Sequence, residues 1–234
     1  LSYAVKRRGE DVITWSRLGF ILTNAPKFDG GFSLDKKTLT SHDDTWEQPW
    51  GERQFVRNHY QELRLDLVQK DFKNRRIAVV FRVYDDGVGF RYEFPKQEQL
   101  KDVKISDELT EFVLAKPGTA WWQVAGEVAA LEHPVLKTPV REVGTANTPM
   151  TVKTGDGTHI AFHEAALVDY AAMWMRRVEG QKFRAHLTPS ATGPAVERRA
   201  PFTTPWRTMQ IASDAAGLYM SDLILNLNEP NKLG

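Results

Sequence analysis

Glu164 is the residue whose setting most asks for chemistry. In the stretch Thr158 to His163 one face presents Ile160 and Phe162, and Glu164 follows in the same parity. A carboxylate at the end of an apolar face is costly unless it is paired, hydrogen-bonded or bound to a metal. From these residues alone, a carboxylate exposed at a strand end is favoured over a metal ligand. His163 has the opposite parity and reads as a structural histidine. Asp169-Tyr170 reads as a loop-shaping pair, acting through side-chain to backbone hydrogen bonds. Asn58, His59 and Glu62 form the most polar part of a long strand candidate, where a face turns polar toward a cleft or an interface. Domain docking is the leading reading of these three, and a catalytic His–Glu pair is the alternative.

Other acidic or glycine-rich stretches carry less. His42-Asp43-Asp44 cannot easily bring all three side chains to one ion, because neighbours in an extended chain point to opposite sides. Asp85-Asp86-Gly87 lacks the spaced acids of a calcium loop and reads as a hairpin turn. Gly87-Val88-Gly89 lacks the third glycine and following helix of a dinucleotide fingerprint. The chain has no Gly-x-Ser-x-Gly elbow, no phosphate loop and no His-Glu-x-x-His sequence.

The elements that must position these residues repeat with the strand period of two. The long candidate spans 54–69. Ile77 to Tyr84 is β-branched and nearly continuous, as expected of a strand covered on both faces, and Asp85-Asp86-Gly87 turns it into 88–94. Further strands are expected at 11–16, 19–24, 150–154, 158–163, 172–178, 182–187 and 206–212. Residues 106–114 fit a short helix or a strand, 124–132 and the Ala-rich 213–220 are weak helices, and 188–204, with three prolines, reads as a loop. The pattern predicts a mainly β fold: a large antiparallel two-sheet sandwich with a few short helices, residues 1–234 forming one domain.

Composition narrows the classes. The 234 residues carry 31 basic and 30 acidic side chains, for a net charge of +1, which argues against a dedicated nucleic-acid binder. No apolar run approaches the ~20 residues of a membrane-spanning helix. Cysteine is absent, which removes disulfides and thiolate chemistry. The start at Leu1 is read as a removed targeting segment or a cut, and the end at Asn231-Lys232-Leu233-Gly234 as a cut end.

Six segments, in order along the chain, resemble the N-terminal domain of glycoside hydrolase family 97. They are Trp46-Glu47-Gln48-Pro49-Trp50-Gly51-Glu52, Arg57-Asn58-His59-Tyr60-Gln61-Glu62, Asp86-Gly87-Val88-Gly89-Phe90-Arg91-Tyr92, Glu164-Ala165-Ala166-Leu167-Val168-Asp169-Tyr170, Pro205-Trp206-Arg207-Thr208 and Leu225-Asn226-Leu227-Asn228-Glu229-Pro230. Their shared order is more specific than any one of them. The resemblance implies a β-sandwich similar to galactose mutarotase, followed in the family by a (β/α)₈ barrel. Such a barrel needs about 250 residues, which this chain does not contain. The family's catalytic carboxylates sit on the barrel, so no catalytic residue is assigned here.

The resemblance implies an α-glucosidase or α-galactosidase acting on α-linked glucosides or galactosides. It also implies a Ca2+ ion to which the sandwich lends one glutamate, Glu164. Calcium takes six to eight oxygens, so one carboxylate could only complete a site built elsewhere. Trp121 and Trp122 become candidate sugar-stacking rings, one to each side of an extended chain. Trp46, Trp50, Asn58, His59 and Glu62 become candidates for the interface with the chain's own C-terminal barrel. Such enzymes are typically periplasmic or secreted. A stand-alone carbohydrate-binding or mutarotase-like protein is the alternative.

Overall fold

The computed structural model describes residues 1–126 and 133–230. Alternation of apolar and polar side chains sets the architecture, because each strand must send one face inward and every second residue does so. The strands form three antiparallel sheets. The largest is ten-stranded; its main path runs Leu136–Pro139, Gly118–Trp122, Met150–Thr154, His159–Ala165, Trp206–Ala212, Gly87–Phe94, Arg75–Tyr84, Phe55–Gln69 and Phe32–Glu47, with Phe202–Thr203 pairing beside Gly87–Phe94. A six-stranded sheet (Ser2–Arg7, Glu10–Arg17, Glu111–Leu114, Lys182–Leu187, Met173–Glu179, Thr145–Ala146) packs on its inner face. A three-stranded sheet (Val196–Arg199, Asp102–Glu108, Phe20–Leu22) closes one side. The mainly β sandwich expected from the sequence is the observed fold.

Inner-face residues of all three sheets meet in one core. Leu67, Val79, Phe90, Tyr92, Ile160, Phe162 and Met209 come from the large sheet, Ile13, Phe112, Met175 and Phe183 from the six-stranded one, and Phe20, Val103 and Ile105 from the small one. Phe90 lies within 6.3 Å, centroid to centroid, of Tyr3, Phe81, Tyr92 and Phe112, so aromatic packing spans the layers. The outer face of the large sheet has its own small cluster. Val80, Tyr84, Ala165 and Trp206 pack there under Leu223 and Leu227 of the helix Leu223–Leu227.

Several expectations resolve or change. Residues 106–114 are strand on both sides of a break, in Asp102–Glu108 and Glu111–Leu114. The Ala-rich stretch contains the helix Ala215–Tyr219, whose Asp214 side chain caps Gly217 N–H. The stretch 188–204 is not all loop. It holds Val196–Arg199 and Phe202–Thr203, because Val196 and Phe202 each bury a side chain in the core and anchor short pairings. Of the candidate helix 124–132, Val124 makes an isolated bridge to Ala146, and 127–132 lie outside the described residues, as does the C-terminal tetrapeptide. No helix among the described residues is long and apolar enough to cross a membrane.

Strand crossing leaves no room at Gly87, where a Cβ would sit 2.2 Å from the Met209 carbonyl oxygen. Gly87→Ala is therefore expected to destabilise the fold by about 1–3 kcal/mol, as overpacking against backbone does, measurable by urea unfolding. On the six-stranded sheet, Arg176 Nη2 donates to His186 Nε2 at 2.8 Å. Burial, reinforced by that guanidinium, holds His186 below the ordinary histidine range. A base with a lowered folded pKa binds its proton more readily when unfolded, so its contribution shrinks as pH falls below about 6.5. His186→Gln should flatten the loss of melting temperature between pH 7.5 and 5.5; an unchanged slope would refute this.

Candidate functional site

Glu164 closes the strand His159–Ala165 and stands directly across the ladder from Arg207. Both point to the inner side, since Ile160 and Phe162 on one strand and Met209 and Ile211 on the other share their parity and lie in the core. Arg207 Nη1 donates to Glu164 Oε2 at 2.6 Å. Its Nε and Nη2 grip Glu108 Oε1 and Oε2 at 3.0 and 2.6 Å. The other oxygen of Glu164 accepts the Met173 backbone N–H at 3.0 Å. The exposed strand-end carboxylate favoured by the sequence alone is thus corrected. Glu164 is 7% exposed and fixed at both oxygens, because a charge on the core-facing parity must find partners there.

Two carboxylates share one guanidinium, and only Glu164 reaches the surface: its side chain is 5% exposed, whereas those of Arg207 and Glu108 are fully enclosed. Burial pushes the Glu164 carboxyl above the usual carboxylate range, against the opposing pull of Arg207 and the Met173 N–H. Burial also opposes the charge on Arg207, but its carboxylates outweigh that and hold the guanidinium above its ordinary range. Tyr170 lies over the cluster, its ring 5.8 Å from the Arg207 guanidinium carbon.

The loop after Glu164 is unusually shaped for its residues. Ala166 (φ 54°) and Asp169 (φ 51°) are left-handed without being glycine, a conformation that costs of order 1 kcal/mol or more and is held by surrounding contacts. Ala166 N–H donates to Asn228 Oδ1 at 2.7 Å, and Arg198 pairs with Asp169. The expectation that Asp169-Tyr170 acts through side-chain to backbone hydrogen bonds is corrected: the Asp169 carboxylate pairs with Arg198, and Tyr170 packs against Arg207 with its hydroxyl unpartnered among the described residues. His163, on the outer face, meets Thr148 Oγ1 at 3.1 Å through Nδ1, and burial lowers its pKa.

That outer face carries a polar ladder. Arg82 and Arg91 lie over the Trp206 ring at 4.9 and 4.6 Å, Glu62 binds Arg82 at 2.8 Å, and Glu93 binds both Arg91 and Arg64. Trp46, Trp50 and Asn58 line one groove of about 800 Å³ together with Asn226, Asn228 and Glu229. Trp46 Nε1 donates to Asn226 Oδ1 at 2.9 Å, and Asn226 Nδ2 donates to the Arg57 carbonyl at 2.9 Å. Trp50 remains 68% exposed. Pairing of Arg53 with Asp222 ties the Trp50 loop to the terminal helices.

The strand period separates some residues that are close in sequence. Asn58 and Glu62 share the outer parity with Tyr60, whereas His59 shares the inner parity with Leu63 and Leu65. The alternative of a His59–Glu62 catalytic pair is therefore corrected; the two side chains leave opposite faces of the sheet. Trp121 and Trp122 do point to opposite sides. Trp122 is in the core with Nε1 donating to Thr138 Oγ1 at 3.1 Å, so its expected sugar contact is corrected, since its ring has no free face. Trp121 is half-buried, with the Lys137 ammonium 5.3 Å over its ring. Arg207 and Glu108 were not singled out among the candidate residues. The only signal for Arg207 lay in its parity with Met209 and Ile211.

No group of three or more His, Cys, Asp or Glu among the described residues could hold a metal ion. A calcium ion would therefore find no complete site among the described residues; Glu164, a hard carboxylate whose two oxygens each accept one hydrogen bond and keep lone pairs, would offer it one donor. One donor fits a shared shell, not a complete one.

Residues 1–230 match the family model described as Glycosyl-hydrolase 97 N-terminal, and the chain belongs to that family. A glycoside hydrolase family 97 enzyme from Pseudoalteromonas sp. strain K8 superposes with a TM-score of 0.96 at 42% identity, over 100% of this chain and 36% of that one. Structures of a family 97 enzyme from the same strain in complex with panose or acarbose superpose at 0.93 and 40% identity, with the same coverage. A retaining alpha-galactosidase of Bacteroides thetaiotaomicron is 23% identical over 77% of this chain and 28% of its own length. The chain spans about a third of these relatives.

Removing the cation of the buried cluster leaves two carboxylates facing one another without compensation. Arg207→Met is expected to cost about 3–5 kcal/mol, read by denaturant unfolding. A loss below ~1 kcal/mol would show that the cluster is not ionised as drawn.

Proposed function

We propose that this chain is the N-terminal domain, over its whole length, of an exo-acting α-glycosidase. It packs on a catalytic barrel, walls one side of the sugar pocket and supplies Glu164 to a calcium ion shared with that barrel. The observation that carries this reading is the cluster's formal imbalance, two carboxylates on one guanidinium, with Glu164 the one member that reaches the surface. A divalent cation held mainly by other residues would neutralise it. Glu164 would act as an oriented oxygen donor, with Met173 N–H and Arg207 fixing its plane. Bound there, calcium would supply electrostatic stabilisation of charge developing near the leaving group.

An α-glucoside is favoured over an α-galactoside. The relatives solved in complex with panose and acarbose are 40% identical, whereas the galactosidase is 23% identical. Trp46, Trp50 and Asn58 are assigned to the barrel interface, because Trp50 projects a bare ring beside a groove whose other wall is the terminal helix. Glu62 lies on the same face and His59 does not. Trp121 is retained as the sugar-facing candidate. We propose export to the periplasm or beyond, on the family resemblance alone.

In the complete enzyme, Glu164→Gln should lower calcium affinity by on the order of 10–100-fold, the range seen when metal-site support is lost, and shrink the calcium-dependent rise in melting temperature. Unchanged calcium titration would overturn the assignment. Residues 1–234 alone should hydrolyse no aryl α-glucoside, and measurable turnover would place catalytic groups on this chain.

A further inference from the structure

Resting on the reading of Glu164 as a calcium donor, we propose that Glu108, fully enclosed and unable to touch the ion, is a positioning residue that sets calcium affinity by holding Arg207. The argument is one of valence. Arg207 presents a bidentate fork to Glu108, using Nε and Nη2, and spares one Nη1 hydrogen bond for Glu164. The guanidinium charge is therefore spent largely on Glu108. With both carboxylates ionised, one guanidinium faces two negative charges, and Glu164 is the one that it holds by a single N–H. Were Glu108 neutral, Arg207 and Glu164 would form a balanced pair, and the site would lose its attraction for a cation while keeping its shape.

Burial makes this coupling strong, since charges screened from water interact several-fold more than exposed ones. It also explains why an arginine and not a lysine stands here. A point ammonium cannot present a planar fork to one carboxylate and a separate N–H to another. Among the described residues, Tyr92 and Tyr170 lie beside the cluster and the Met173 N–H completes Glu164, and none of these carries a compensating positive charge.

The test is calcium titration of the complete enzyme by calorimetry, with the melting temperature measured with and without calcium. Glu108→Gln preserves the shape and removes the charge. It is expected to weaken calcium binding roughly tenfold or more, and to reduce the calcium-dependent rise in melting temperature. A purely structural role would lower melting equally with and without calcium and leave the affinity unchanged, and that result would overturn the proposal. Arg207→Lys serves if Glu108→Gln does not fold. It keeps the charge but loses the fork, and is expected to weaken calcium binding through misorientation of Glu164; unchanged affinity overturns the proposal. Glu164→Gln separates the two claims. If it leaves calcium binding intact, the donor assignment itself fails; if it weakens binding while Glu108→Gln does not, only the role of Glu108 fails.

Discussion

Arg207 is the point on which the three sheets are tied together. Its strand and that of Glu164 belong to the large sheet, Glu108 ends a strand of the three-stranded sheet, and the Met173 N–H that completes the Glu164 carboxylate opens a strand of the six-stranded one. Hydrophobic packing is non-directional and would tolerate small slides between layers. A guanidinium with fixed N–H directions does not. Burying this cluster costs several kcal/mol of desolvation per ion, which the paired hydrogen bonds offset only in a narrow geometry. The cluster is thus poor as a source of net stability and effective as a register pin. The side chain it pins is Glu164.

The same sheet serves two environments. Its inner face is mostly apolar apart from this cluster and a buried Gln69–Arg75 pair at one end, while its outer face alternates Arg64, Arg82 and Arg91 with Glu62 and Glu93 around Trp206. An open antiparallel sheet can face water on one side, but guanidinium groups stacked on an aromatic ring and crossed by salt bridges form a rigid, partly dry surface. The terminal helix lies on part of it, and its Leu227 sits where a side chain at position 89 would go: a Cβ on Gly89 would lie 2.4 Å from a Leu227 methyl. That glycine, in the Gly-Val-Gly-Phe-Arg-Tyr stretch, is there for close approach of a helix.

Much of the fold was legible because the strand period is a local property. The long strand, the Ile77–Tyr84 hairpin and the parity of Glu164 with Ile160 and Phe162 all follow from adjacent residues. What was not legible depends on distance along the chain. Arg207 lies 43 positions from Glu164 and 99 from Glu108, and nothing local distinguishes an arginine that will be enclosed from one that will be solvated. The short strands within 188–204 escaped for a related reason, since their pairing is driven by single anchors, Val196 and Phe202, and not by a periodic run. His59 and Glu62 show the opposite error. Polarity grouped them by nearness in sequence, although an odd separation of three along a strand sends them to opposite faces.

Were an ion's ligands divided between this domain and another, as proposed, the fixed geometry of Glu164 would have a physical consequence. A donor on a flexible side chain would pay rotamer entropy when the ion bound, and the two domains could drift without losing it. A donor held at both oxygens loses little on binding, but it demands that the partner domain arrive at one position and orientation. Preorganisation on this side therefore transfers the tolerance to the interface, where the exposed Trp50 and the loop tied to the terminal helices through Arg53 and Asp222 offer contact area without flexible charge. In the proposed arrangement a shared calcium ion and the aromatic contact would report on the same alignment. The buried arginine sets one end of that alignment from inside the sandwich.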